Sequence, residues 1–169
     1  AEHITLREIL LKAGAEQNIR EFGFYAMNAL RLEKSFGVWS AEFTQDRTPG
    51  MTGMDRWIDW SRDNFIGHEA ASKERSGGDV PQQLVTLEID ADDADASGYE
   101  PIWQNDKRVG FVTSGGYGHY TAKSLAMGLL DTGVNEEDGP LMVDVVGKRR
   151  IARTLTEAAW DPKGVRIRL

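Results

Sequence analysis

The spacing of hydrophobic positions predicts helices at the start of the chain. Apolar side chains in the segment 4–22 begin at helical intervals, and Gly14 predicts the end of that first helix. The segment 24–36 predicts a second helix, or a helix that runs into a strand near Arg31. A mostly buried helix would bury these apolar positions: Ala26, Ala29, Leu30 and Leu32.

Turn-forming residues dominate the next part of the chain. Residues 40–64 contain Pro49, Gly50 and Gly53, which favour loops. A polar helix is predicted from Gly67 onwards, and the Gly77-Gly78 pair predicts its end. We therefore place a domain boundary there, with one domain at 1–78 and the other at 79–169.

Beyond residue 80 the pattern changes to short apolar runs that are typical of strands. One strand is predicted at 82–89, and a hairpin at 102–112 turns through residues 104–107. The segment 123–131 predicts a strand or a short helix, and 139–160 predicts another hairpin that turns at Gly147-Lys148. Short strands at this regular spacing favour a barrel or a sandwich.

The glycine-rich segment GFVTSGGYGHYTAKSLAMGLL, residues 110–130, has the composition of a phosphate-binding loop. A P-loop places glycine directly before its Lys-Ser pair and again five positions earlier, so that backbone N–H groups surround the phosphates. Before Lys123 those places hold Ala122 and Tyr117, and the dinucleotide pattern Gly-x-Gly-x-x-Gly fails at Thr121. We predict instead a wide turn at residues 113–119 between two barrel strands, with Lys123 opening the second strand. Gly115, Gly116 and Gly118 would supply a positive φ or a close approach of the backbone there.

Composition and charge exclude several classes of partner. Hydrophobic residues make up 40% of the 169 positions, which is enough for a folded core. The formal net charge of −7 argues against sequence-independent binding of nucleic acid and against anionic membrane surfaces, because both depend on Lys and Arg. Cysteine is absent, which excludes disulfides and Cys-based zinc sites. With no targeting segment and no membrane-length apolar run visible, we expect a cytoplasmic protein.

Polar clusters offer few candidates for metal binding or acid–base chemistry. Metal-ligand spacing is missing among the histidines, which are His3, His68 and His119. An acidic loop lacks the glycine and glutamate of a calcium-binding EF-hand and is predicted to be solvated: Asp92, Asp93 and Asp95. A carbohydrate or acid–base site, or more simply a polar face, is predicted around Trp57 and Trp60 by Asp55, Asp59 and Asp63. We expect no metal, and residue chemistry alone reveals no complete active site.

A set of motifs in a fixed order carries a family resemblance. The stretch ALRLEKSFGVW covers residues 29–39, DNFIGHEAA starts at Asp63, and EPIWQNDKRVGFVTSGGYGHYTAKSLAMGLL starts at Glu100. These resemble the Leu-Arg-Leu-Glu, Asp-Phe-Ile-Gly-x-Glu-Ala-Leu and Gly-x-x-Thr-Ser-Gly segments of the folate-binding aminomethyltransferase superfamily, which includes the T-protein of the glycine cleavage system. The resemblance spans about residues 4–155 and looks closest to the dimethylglycine dehydrogenase and sarcosine dehydrogenase branch.

The resemblance implies an α+β fold and a folate-dependent function. The fold would be the end of a mixed α/β folate-binding subdomain, followed by a C-terminal antiparallel, jelly-roll-like β-barrel. The implied cofactor is tetrahydrofolate, with FAD in the parent protein if it belongs to the dehydrogenase branch, and no metal. In that branch tetrahydrofolate accepts a one-carbon unit from an iminium that is released when an N-methylated amine is oxidised.

The resemblance also implies that the chain is a piece of a longer enzyme. The chain begins at Ala1 without methionine, and the family's catalytic aspartate and pterin-binding glutamate belong to an earlier segment. We therefore expect no catalysis from this chain alone. Its expected partners are tetrahydrofolate, a small N-methylated amine and the upstream domains of the same polypeptide, with no nucleic acid and no membrane. A surface left exposed over residues 4–60 would promote self-association.

The resemblance singles out candidate folate contacts near the Leu-Arg-Leu-Glu motif: Tyr25, Arg31, Phe36 and Trp39. Aromatic rings at these places would line a channel for a flat heterocycle, and their alternative role is that of ordinary core aromatics. Arg31 is expected to be ion-paired and to support the site, because an unpaired buried guanidinium is costly. The family's Ala-Arg-Asp stands here as residues 26–28, Ala-Met-Asn, so its folate-contacting arginine is replaced by Met27.

Further alternatives stay open from the sequence. Thr113 and Ser114 would lie on a barrel loop, either near the folate channel or as hydroxyls that stabilise a turn. The chain could instead come from an aminomethyltransferase or folate-dependent demethylase without a flavin domain. It could also be a non-catalytic barrel module for binding or scaffolding. An upstream flavin fingerprint would distinguish the dehydrogenase branch from the others.

Overall fold

The computed structural model describes residues 2–77 and 80–168. The predicted domain boundary, between residues 78 and 79, lies outside these described residues and therefore stays a prediction. The predicted glycine stop at Gly78 lies outside them as well.

The α-helices of the described residues lie before the strands. They are α1 (Glu2–Ala13), α2 (Phe24–Glu33), α3 (Pro49–Thr52) and α4 (His68–Arg75). The first helix ends just before Gly14, and α4 follows Gly67, as predicted. In α3 the Thr48 side chain accepts a hydrogen bond from the N–H of Met51, and Pro49 occupies the first turn, so a side-chain cap and a proline define its start.

The buried face of α2 differs from the predicted one. The element is helical throughout, but its buried residues are Ala29, Arg31, Leu32 and Glu33. Ala26 and Leu30 were expected to be buried and are exposed. Charged groups replace them on the packed face because the rest of the protein supplies a partner for each, which removes most of the cost of burying a charge.

The second half of the described chain forms a closed antiparallel barrel of six strands. In chain order they are β1 (Gln82–Ile89), β2 (Pro101–Gln104), β3 (Lys107–Gly118), β4 (Lys123–Asp131), β5 (Leu141–Val145) and β6 (Lys148–Leu155). Their order around the barrel is β1-β4-β3-β2-β5-β6, and β6 pairs with β1 to close it. This architecture confirms the α+β fold class with a C-terminal barrel. It also shows that the segment 123–131 is a strand.

Two layers of apolar side chains hold the barrel and α2 together. The barrel interior is filled by residues such as Leu87, Ile102 and Val143, which are fully buried. On the outer side of β4, Leu125 and Met127 pack against Leu32 of α2. Because β4 faces the barrel interior on one side and α2 on the other, it is buried along almost its whole length.

The glycine-rich segment is a strand rather than a turn. β3 continues through Gly118, and the connection to β4 lies at residues 119–122, so the predicted turn over residues 113–119 was wrong. The close backbone approach predicted for Gly115 is observed, because a Cβ there would overlap the carbonyl oxygen of Ala96. Lys123 begins the next strand, as predicted.

Candidate functional site

Polar side chains of α2 fasten the helix to β3 and to the turn after it. Asn28 donates from Nδ2 to the carbonyl oxygen of Gly115 at 3.2 Å. The Glu33 carboxylate accepts from the backbone N–H groups of Tyr120 and Thr121 at 2.8 and 2.7 Å. The Leu-Arg-Leu-Glu motif is therefore the surface through which the helix contacts the barrel.

Arg31 has the ion pair that the sequence predicted. Its Nη1 lies 3.2 Å from Glu42 Oε2, and its Nε and Nη2 donate to Asn28 Oδ1 at 2.9 and 2.7 Å. Burial lowers the pKa of the Arg31 guanidinium, and the Glu42 carboxylate opposes that shift. A guanidinium remains protonated at neutral pH. Arg31 thus places a fixed positive charge between α2 and the barrel.

The fully buried Glu42 is a residue that the sequence interpretation missed. Its Oε2 accepts from Arg31 and from the backbone N–H of Val38, and its Oε1 accepts from the hydroxyls of Thr113 and Ser114 at 2.6 and 2.5 Å. The available signal was that a buried Arg31 needs a carboxylate, and Glu42 is the first acidic residue after the helix.

Thr113 and Ser114 lie within β3, so their predicted placement on a loop or turn was wrong. Their predicted nearness to the folate channel stays a prediction. The pairing of β3 with β4 shifts register between Val112 and Ser114, which is the sign of a β-bulge. A bulge redirects side chains locally. Here both consecutive hydroxyls contact Glu42, so the bulge joins the barrel to the segment that follows α2.

The three aromatic candidates lie on the surface of the described chain. Tyr25 is 89% exposed, Trp39 81% and Phe36 53%, so the alternative role as core aromatics is not observed. Tyr25 packs edge-on against Phe24, and the Phe36 ring centroid lies 6.0 Å from Lys34 Nζ. A role of these rings in folate binding stays a prediction.

The first 40 residues carry many other exposed apolar side chains. Helix α1 buries none of its described residues. The large apolar residues exposed in the first 40 positions are Ile4, Leu6, Ile9, Leu10, Ile19, Phe22, Phe24, Tyr25, Met27, Leu30, Phe36 and Trp39. We call this set the helical apolar surface. Exposed apolar surface on this scale is typical of an interface.

Several of the remaining polar candidates have local partners. His68 lies 3.3 Å from Ser72 Oγ through its Nε2, and the acidic loop pairs with β6 through Asp93 and Lys148 at 2.7 Å. Asp59 accepts from the N–H and the hydroxyl of Ser61. Across residues 2–77 and 80–168, no group of three or more His, Cys, Asp or Glu side chains is arranged to hold a metal ion.

A groove of about 600 Å³ lies between α3 and α4, away from the predicted folate contacts. Its apolar lining includes Ile58, Phe65 and Ile66. The lining of this groove does not include the predicted folate contacts, which are Tyr25, Arg31, Phe36 and Trp39. The groove therefore gives no support for folate binding by these residues. Within the described ranges, none of the helices has the length and apolar character needed to cross a membrane.

Known proteins resemble the chain over almost its whole length. The family model for the glycine cleavage T-protein C-terminal barrel domain matches residues 82–161, and that for the GCVT N-terminal domain matches residues 1–62. Mitochondrial dimethylglycine dehydrogenase is 36% identical over 98% of this chain in Mus musculus and 36% over 99% in Homo sapiens. An aminomethyltransferase of Desulfitobacterium hafniense (strain DSM 10664 / DCB-2) is 30% identical over 93%.

These relatives are longer than the chain. The chain spans 19% of either dehydrogenase and 42% of the Desulfitobacterium aminomethyltransferase. The crystal structure of glycine cleavage system aminomethyltransferase T from Bartonella henselae superposes with a TM-score of 0.78 at 21% identity. That superposition covers 90% of this chain and 43% of the other, and it shows a shared fold.

Proposed function

The chain belongs to the superfamily of the glycine cleavage T-protein and dimethylglycine dehydrogenase, and it corresponds to a C-terminal part of these proteins. We therefore propose that it comes from a tetrahydrofolate-dependent one-carbon-transfer enzyme. The proposed substrate of the whole enzyme is an N-methylated glycine. The observation that carries this proposal is the 36% identity to the mouse and human dimethylglycine dehydrogenases over nearly the whole chain.

In this proposal the helical part forms one wall of the folate site. Tyr25, Phe36 and Trp39 present exposed rings, and a flat heterocycle is commonly held by aromatic side chains in an apolar pocket. Arg31 contributes by keeping α2 and its loop in place, since its guanidinium is already occupied by Asn28 and Glu42. Upstream domains would cover the helical apolar surface and complete the channel.

The chemical step would depend on groups outside this chain. The carboxylate that the family uses in catalysis and the one that holds the pterin lie in the upstream region, so the chain alone would be inactive. FAD would belong to a preceding domain if the protein is of the dehydrogenase branch, and the proposal needs no metal. The division into domains at 1–78 and 79–169 is part of this proposal.

A second candidate is an aminomethyltransferase or folate-dependent demethylase without a flavin domain. It is favoured by the 30% identity to the Desulfitobacterium aminomethyltransferase over 93% of the chain. A non-catalytic barrel module is the third candidate. A cytoplasmic location, expected from the sequence, stands as a proposal beside the mitochondrial location printed in the names of the mouse and human dehydrogenases.

The test is tetrahydrofolate binding by the chain joined to its native upstream region. Saturating tetrahydrofolate should raise the melting temperature, since a ligand at 100 times its Kd stabilises by about 2.7 kcal/mol. Trp39→Ala should weaken binding about two- to tenfold, the loss of one aromatic pair of about 0.5–1.5 kcal/mol. The matched control is Trp57→Ala, which removes another exposed indole. Absence of any change in melting temperature or fluorescence with the joined protein would refute the enzyme function.

A further inference from the structure

We propose that Glu42 is a positioning residue through which strand β3 fixes the segment that carries Phe36 and Trp39. This segment, residues 34–43, is called the aromatic loop below. The relevance of the proposal to ligand binding rests on the proposed function, because that function makes Phe36 and Trp39 contacts of tetrahydrofolate. The positioning itself follows from contacts within the described chain.

The Arg31–Glu42 pair holds the backbone of the aromatic loop on both sides of Gly37. Glu42 Oε2 accepts from the N–H of Val38 at 2.8 Å, and Arg31 Nη1 lies 3.4 Å from the carbonyl oxygen of Phe36. Trp39 follows Val38 directly. The peptide groups that precede the indole are therefore set by a buried ion pair rather than by solvent.

The barrel holds the other oxygen of the same carboxylate. Thr113 and Ser114 donate their hydroxyls to Glu42 Oε1 from the bulge in β3. Glu42 is fully buried, so water does not compete for these bonds. A charged acceptor in such a setting forms shorter and stronger hydrogen bonds than a neutral one. The carboxylate thus transmits the position of β3 to the aromatic loop.

The position of Trp39 depends on these bonds to the loop backbone, because its own side chain is barely packed. The ring is 81% exposed, so few contacts of its own restrict its orientation. The loop is tight around it: Ser40 has a φ of 71°, and a Cβ on Gly37 would lie 2.7 Å from Phe43 Cζ. A loop backbone that is ordered before binding avoids the entropy loss of ordering it at that moment. Glu42 therefore gives the barrel a part in ligand affinity without touching the ligand.

The proposal is tested by backbone order parameters of the aromatic loop in the full chain. Glu42→Ala should lower the backbone NMR order parameters at residues 38–40 from about 0.85 to below about 0.6. Glu42→Gln should keep these order parameters near the value of the unchanged protein. The glutamine oxygen can accept from the N–H of Val38, and the glutamine NH₂ group can donate to the hydroxyls of Thr113 and Ser114. The matched control is Glu33→Ala, which removes another buried carboxylate bound to the barrel but lies outside the loop's bonding.

Unchanged order parameters in folded Glu42→Ala would overturn the proposal, and so would equal loosening in the Glu33→Ala control. If Glu42→Ala does not fold, the variant that combines Thr113→Val with Ser114→Ala keeps the carboxylate and removes the two barrel hydroxyls that donate to it. It also removes the contact of the Thr113 hydroxyl with the carbonyl oxygen of Met127. It should loosen the loop in the same direction, and a rigid loop there counts against positioning. Should association broaden the spectra, hydrogen exchange of the Val38 amide by mass spectrometry gives the same comparison.

Tetrahydrofolate binding by the joined protein separates this proposal from the proposed function. A loosened loop with weakened binding supports both proposals. A loosened loop with unchanged binding leaves positioning intact and removes Trp39 from the folate site. A loop that stays rigid in Glu42→Ala refutes positioning, whatever its affinity for folate.

Discussion

Residues 33 and 34 show how charged side chains are accommodated at the buried end of α2. Glu33 satisfies two backbone N–H groups in the turn after β3. Lys34 donates to the backbone oxygen and the carboxylate of Asp161, and its Nζ lies 5.6 Å from the centroid of the Trp160 ring. Each charge has a partner, so these residues fix the position of the helix end relative to the barrel.

Replacing Glu33 by alanine should lower the free energy of unfolding. The change leaves the N–H groups of Tyr120 and Thr121 without acceptors, at a cost of about 1–3 kcal/mol for each that stays buried. Urea denaturation measures the effect. Glu136→Ala is the matched control, because Glu136 also accepts from a backbone N–H, that of Thr154, but on the surface. Equal losses in the two variants would show that burial of the Glu33 contact is unimportant.

At the scale of elements, β3 is the strand that contacts both its barrel neighbours and the helical part. It pairs with β2 and β4, carries the bulge that contacts Glu42, and receives Asn28 of α2 at Gly115. Its glycines remove side chains where neighbouring backbone comes close. The stretch that looks like a phosphate loop is therefore the part of the barrel wall against which the helix and the acidic-loop segment pack.

Gly115→Ala should destabilise the protein by about 1–3 kcal/mol, the usual cost of overpacking a close contact. The new methyl group would overlap the carbonyl oxygen of Ala96, and backbone atoms move less easily than a flexible side chain. Thermal unfolding followed by circular dichroism is a sufficient measurement. Gly23→Ala is the control, because a Cβ there meets nothing within 4 Å. An unchanged melting temperature for Gly115→Ala would contradict the prediction and would mean that the backbone at Ala96 moves aside without cost.

The sequence was sufficient for elements that follow local rules and insufficient for long-range partners. The first helix, β1 and the two hairpins were predicted because apolar spacing and turn residues determine them locally. The turn over residues 113–119 was wrong because the glycines there serve packing between strands and loops, which sequence spacing does not show. Glu42 was missed because its barrel donors lie 71 and 72 residues further along the chain.

At the scale of the whole molecule, the barrel encloses an apolar core, whereas the helical part leaves most of its large apolar side chains exposed. The barrel interior is closed by its own strands, while α1 buries no described residue. Exposed apolar surface of this kind is typical of an interface. The chain spans 19–42% of the length of the relatives compared with it.

The chain alone should therefore self-associate through the helical apolar surface. Ile9→Glu combined with Leu10→Glu should shift the population toward monomer, because each removes an exposed apolar group and adds repulsion. Analytical ultracentrifugation over a range of concentrations measures the shift. Ile151→Glu, on an exposed position of β6, is the control and should leave association unchanged. A monodisperse monomer at high concentration would contradict the prediction.

The long reach of the α2 contacts has a consequence for the order of folding. Asn28 and Glu33 both bond to residues 87 positions later, so these partners do not exist when the ribosome has just released the helix. Helices of 10–12 residues are marginal in isolation. During synthesis these native contacts of α2 can therefore form only after Gly115, Tyr120 and Thr121 have been added to the chain.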